Sequence, residues 1–176
     1  SEVVTRSEFK AFTKRTILQQ NEIQAFVWIR TISLADRQAF EESILKEGIV
    51  GFKIFDKTTP FKIAPQHDNY SVITYIEPLE RNKKALGLNV LSDKNVKETL
   101  LKAIRTNDIT VTPVIELAQD KKNRPGIIFY RTIYEHDHLI NGEIGIHKKH
   151  PLGFLASCFY LEDIIHAALA NLDQSR

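Results

Sequence analysis

The chain has 176 residues, 43% hydrophobic and 26% charged, enough to bury the core of one domain or slightly more. Its 24 Lys and Arg nearly cancel its 22 Asp and Glu, for a net charge of +2. No basic face of the kind nucleic acid requires is implied, and Lys83–Lys84 reads as a solvated turn.

The first Gly is Gly48 and no Pro precedes it, which suits long helices. Ile23, Phe26, Val27 and Arg30 fall at helical spacing. Phe9 and Phe12 begin a weaker stripe, so residues 1–33 are predicted to form a stalk-like helix. Ser33 and Asp36 have the spacing of a capping box for a second helix through Phe40 and Ile44, stopping at Gly48. Period-two alternation predicts strands over 49–55 and 70–76, separated by a loop containing Pro60 and Pro65. In the second of these, Tyr70, Val72, Thr74 and Ile76 are expected on one face, and Ile73 and Tyr75 on the other. Ser92 is the expected cap of a helix that carries Val96, Leu100, Ala103 and Ile104 on one side and ends near Asn107. Residues 109–117 read as a strand that Pro113 places at an edge or bulge. A polar turn leads to a strand over 126–134, and a strand over 154–160 precedes a last helix bearing Ile165, Ala168, Leu169 and Leu172. This order predicts an α+β domain whose antiparallel sheet has its helices kept to one face or end.

Little in the sequence could perform chemistry. No nucleophile elbow, phosphate-cradling Gly loop or dinucleotide fingerprint occurs. Glu41 and Glu42 are expected on a solvated helix face, with Asp36 and Arg37 in surface pairs. His136, Asp137, His138, His147 and His150 crowd one stretch, but at no metalloenzyme spacing, so they read as solvated histidines and no metal or other cofactor is expected. Cys158 alternates with Phe154, Ala156 and Tyr160, the pattern of a small buried residue. No run approaches the roughly eighteen apolar residues of a membrane span, and no signal peptide is visible. Ser1 stands first and Met is absent, so the sequence is expected to be a piece of a longer protein.

Residues 21–56 (NEIQAFVWIRTISLADRQAFEESILKEGIVGFKIFD), Tyr70, Glu77-Pro78-Leu79, Asn82, Ala85-Leu86-Gly87, Ser92, Ala103, Thr106, Gly126, Ile133-Tyr134, Gly153-Phe154 and the helix over 161–172 together resemble the CHASE domain. This is the extracytoplasmic sensory module of transmembrane histidine kinases, nucleotide cyclases and diguanylate cyclases. The chain departs from the family pattern at Asn89, where many bacterial members carry Asp, and at Thr132, where Pro is usual. The resemblance implies a single sensory domain over 1–176, with a long N-terminal helix followed by a PAS-like antiparallel sheet with flanking helices. Within it, 1–33 would be the stalk, 34–135 the ligand-binding lobe, and 136–176 the start of a reduced or truncated membrane-proximal lobe. The implied ligand site is Tyr75, Leu91, Val96, Leu100, Thr112, Ala118 and Tyr130, roofed by the helix over 92–106.

In plant cytokinin receptors of this family an Asp of that helix hydrogen-bonds adenine; the resemblance puts it on Val96, with Asp93 one turn earlier. A Thr that contacts the hydroxylated tail of some cytokinins falls on Tyr130, whereas a Thr important for hormone binding is matched by Thr112. A different small-molecule ligand, more apolar at that end, is therefore expected. The implied parent is membrane-anchored, with this portion periplasmic or extracellular, a homodimer paired through the N-terminal helix, and a kinase or cyclase output. The alternative is a protein-interaction module whose cup is filled by Tyr75, Phe129 and Tyr130.

Overall fold

The computed structural model describes residues 4–58, 60–118, 122, 124–134 and 151–174, without the side chains of 171–174. Helix α1 (Arg6–Gln19) opens on a reciprocal cap: Glu8 N–H donates to the Thr5 hydroxyl, and Thr5 N–H donates to the Glu8 carboxylate. The helix ends at Gln19, where the predicted stalk was to continue. Residues Ile23–Ser33 instead form strand β1. Ile23, Ala25, Val27 and Ile29 are its buried residues, a period of two that the helical reading overlooked. β-Branched and aromatic side chains dominate the segment, and such residues fit a pleated surface better than a helix.

Strand β1 lies in the middle of the sheet. The remaining strands are β2 (Phe55–Asp56), β3 (Lys62–Ile63), β4 (Asn69–Glu77), β5 (Leu88–Asn89), β6 (Thr110–Val111), β7 (Ile115–Glu116), β8 (Pro125–Ile133) and β9 (Gly153–Tyr160). Their order is β3-β2-β5-β4-β1-β9-β8-β6, with β7 also on β8. The long strands are antiparallel as expected, but β2 runs parallel to β5, so the sheet is mixed. The predicted strand over 49–55 shrinks to the β2 pair, because Gly48 and Gly51 take positive φ and break extension before it.

Strand β9 falls in the stretch expected to begin a reduced or truncated membrane-proximal lobe. It pairs with β1 on one side and β8 on the other, completing the same sheet. A Cβ on Gly153 would collide with the Ile29 carbonyl and approach the Trp28 ring, so glycine permits this close entry. The five histidine-stretch residues named above lie outside the described residues, between β8 and β9.

Helix α2 (Arg37–Lys46) follows a Ser33–Asp36 turn in which the two side chains are 2.6 Å apart and Asp36 N–H donates to the Ser33 hydroxyl. Glu41 is not on a solvated face: it is 6% exposed and receives Lys53 Nζ at 2.6 Å, Arg37 Nε at 3.2 Å and the Ile54 N–H at 3.2 Å. Burial pushes its carboxyl up, but these donors outweigh it and hold the group below the usual range. A short helix α3 (Leu79–Asn82) and the segment 83–92 then lead to α4 (Lys94–Thr106), which ends on Asn107 in the left-handed region. Helix α5 (Leu161–Gln174) lies against β8 and β9.

Candidate functional site

One face of the sheet and helix α4 enclose an apolar cleft. Its floor is Val27 and Ile29 of β1, Ile73 and Ile76 of β4, Ile128 and Tyr130 of β8, and Ala156 and Cys158 of β9. Val96 of α4 forms its roof, and Lys57, Asp93 and Glu116 stand at the rim. Small Ala156 and Cys158, set between bulky Phe154 and Tyr160 on the buried side of β9, leave the hollow. Counted out to its open mouth the cleft has a volume of about 510 Å³. Its enclosed part is far smaller, about 40 Å³, below the roughly 150 Å³ of an apolar cavity that accepts a benzene ring.

Three of the seven residues expected at the site line the cleft: Val96, Ala118 and Tyr130. Tyr75 lies on the opposite face. In the pairing of β1 with β4, Trp28 faces Tyr75 while Ile29 faces Ile73, so Thr74 is an extra residue and shifts the alternation there. Ile73 and Ile76 thereby both reach the cleft, against the expected alternation. Tyr75 packs instead on α1, with the Phe9 ring 5.8 Å away and the Arg6 guanidinium 4.7 Å over its own ring.

The remaining three serve the framework. Thr112 mends the ladder beside Pro113, its hydroxyl accepting from Ile128 N–H at 3.1 Å while its own N–H donates to Ile128 O. Leu100 is 1% exposed within the core, and Leu91 packs against that core from the turn before α4.

The residues missed from sequence are the floor of β1 and β9 and the rim. Nothing in the local sequence marks Lys57, which follows β2 in an irregular stretch. Its Nζ donates to Asp93 Oδ2 at 2.8 Å and to Glu116 O at 3.3 Å, and its N–H donates to the Ser92 hydroxyl at 2.8 Å. Ser92 was expected to cap α4, but its hydroxyl donates to Asn89 O, and Asp93 is the cap. Asp93 Oδ1 accepts from Asn95 N–H at 3.0 Å and Val96 N–H at 3.2 Å. Burial pushes the Asp93 carboxyl up, but the Lys57 ammonium and these two N–H groups prevail and hold it below the usual range.

Two further polar groups lie on the floor. Burial drives the Cys158 thiol up to about 12, so it stays protonated. Tyr130 is 2% exposed, and burial raises its hydroxyl well above the ordinary value, with the nearby Cys158 and Asp93 adding to the shift. No hydrogen bond of its hydroxyl occurs among the described residues, and that oxygen is not among the fully buried orphan polar atoms, so it opens onto the cleft. Nearby, Asn89 makes sense of one departure from the family pattern: its amide donates to Asp56 while its oxygen accepts from Ser71 N–H, a double role a carboxylate could not fill. Among the described residues there is no cluster of His, Cys, Asp and Glu able to hold a metal ion, and no helix is long and apolar enough to cross a membrane.

The sequence matches the CHASE domain family over residues 2–176. Over 121 residues it is 31% identical to a Dictyostelium discoideum protein named "Adenylate cyclase, germination specific"; the match covers 67% of this chain and 14% of that protein. The chain belongs to the CHASE family, whose members are extracytoplasmic sensory domains of signalling proteins and not catalytic ones.

Proposed function

We propose that this domain binds a small molecule in the cleft beneath α4 and passes the event to its N-terminal helix. The observation that carries the reading is the cleft itself, an apolar hollow with the unpartnered hydroxyl of buried Tyr130 on its lining. The self-filled alternative needed Tyr75, Phe129 and Tyr130 in the cup. Tyr75 is on the other face, and Phe129 stacks edge-on with Phe159 at 5.6 Å, away from the lining residues. A mainly antiparallel sheet whose first and last strands lie side by side, covered on one face by an intervening helix, supports the PAS-like reading of the lobe.

Strand β4 offers the link to the stalk, since Ile73 and Ile76 line the cleft while Tyr75 between them holds α1. A ligand can shift such an arrangement only through its difference in affinity for two states, so it must touch an element that moves. Phe12 and Leu18 stand exposed on α1, which supports pairing of stalk helices in a homodimer. The parent is proposed to be membrane-anchored, with this domain outside the cytoplasm and a histidine kinase or cyclase as output; the relative's name favours a cyclase.

Thermal-shift screening against purines, amino acids, small organic acids and uncharged ring compounds tests the reading. A ligand at a hundred times its dissociation constant adds about 2.7 kcal/mol of stability. Flat melting curves across the panel would overturn the proposal in favour of a module that recognises another protein.

A further inference from the structure

We infer that the cleft receives a small uncharged molecule carrying a hydrogen-bond acceptor that the Tyr130 hydroxyl engages. The inference rests on the small-molecule reading above and narrows it to a chemical class. Size comes first: the enclosed part of the cleft is only about 40 Å³, so any ring-sized ligand must place most of its bulk in the open mouth and only a small group inside. The walls decide polarity, since Val27, Ile73, Ile76, Val96, Ile128 and Ala156 offer nothing to a polar group.

Charge is decided at the rim. Lys57 and Asp93 neutralise each other at 2.8 Å. Lys57 also spends a proton on Glu116 O, and Asp93 spends its second oxygen on two backbone N–H groups. An anionic ligand would have to break this pair or enter with its charge unmatched among apolar walls, and a cationic one would find only the exposed Glu116 carboxylate at the mouth of the cleft, so an ion gains little by entering. The thiol of Cys158 stays neutral and forms no counter-charge.

That leaves the Tyr130 hydroxyl as the directing group. It belongs to a buried tyrosine, lies near Asp93 and Cys158 on the lining of the same cleft, and no described residue accepts its proton. A phenol O–H held in this way selects for a carbonyl, ether or hydroxyl oxygen on the ligand.

Four one-ring probes test this on the 176-residue chain by isothermal titration and ligand-observed NMR: acetophenone, ethylbenzene, benzoate and benzylammonium. Acetophenone should bind about five to ten times more tightly than ethylbenzene, the worth of one hydrogen bond. Both ions should bind more weakly than acetophenone. Tyr130→Phe should bring acetophenone down to the level of ethylbenzene and leave ethylbenzene itself unchanged. Tighter binding of either ion, or an acetophenone affinity indifferent to Tyr130→Phe, overturns the ligand class while leaving the sensor reading intact. Failure of all four to bind the native chain overturns the ligand class, and the thermal-shift panel then decides the small-molecule reading separately.

Discussion

Asp93 holds two jobs that two substitutions can separate. Its Oδ1 caps α4 by accepting from Asn95 and Val96 N–H, and its Oδ2 holds the Lys57 ammonium. Asparagine retains an oxygen at the cap and ranks with Asp there, so Asp93→Asn removes chiefly the ion pair. The two side chains are 16% and 30% exposed, which puts the pair between a surface bridge worth under about 1 kcal/mol and a buried one worth about 3–5 when broken. We expect Asp93→Asn to cost about 1–1.5 kcal/mol. Asp93→Ala loses the cap as well and should cost about 2–2.5 kcal/mol in all. At about 2–4 °C per kcal/mol for a domain of this size, the melting points should fall by about 2–6 and 4–10 °C respectively.

Acid supplies an independent check. The Asp93 carboxyl is held below its ordinary value in the folded state, so its contribution is present in full above the unfolded value near about 3.9. That contribution drains away as pH falls through the lower folded value. The gap between wild type and Asp93→Asn in urea unfolding should accordingly stand at neutral pH and close in acid. If Asp93→Ala proves no worse than Asp93→Asn, the cap contributes nothing; if the gap ignores acid, the ion pair is not its source.

Two further outcomes follow from packing. Gly153→Ala should destabilise the domain by about 1–3 kcal/mol or more in urea unfolding, because its Cβ meets the Ile29 carbonyl where β9 enters the sheet. Cys158 should resist DTNB at pH 8 in the folded chain and react fully, as the one thiol of the sequence, only in denaturant, since it is buried and its thiol is raised to about 12.

The elements that could be read from sequence are those with one period and clear ends. Helix α4 has a single apolar face and an Asn107 stop, and β4 and β8 are bounded by turn residues. Strand β1 was misread because Ile23, Phe26, Val27 and Arg30 satisfy a helical spacing while Ile23, Ala25, Val27 and Ile29 satisfy a strand's. Only pairing partners decide between them, and those partners are more than 35 residues away in β4 and some 120 or more in β9. Distance in sequence also hid the place of β9, which local pattern identifies as a strand but cannot assign to a sheet.

The site shows the same division. Val96 and Tyr130, which the resemblance implied, do reach the cleft because the helix and strand that carry them keep their period. Tyr75 does not, since a one-residue bulge at Thr74 turns it to the stalk side without any Gly or Pro to announce the change. That same bulge puts Ile73 and Ile76 in the cleft with Tyr75 under α1, so one strand touches both the proposed ligand and the helix that would carry the signal. The feature that defeated the sequence reading of Tyr75 is thus the one that ties the cleft to the stalk: an unbulged β4 would put Ile73 and Tyr75 on one face and Ile76 on the other.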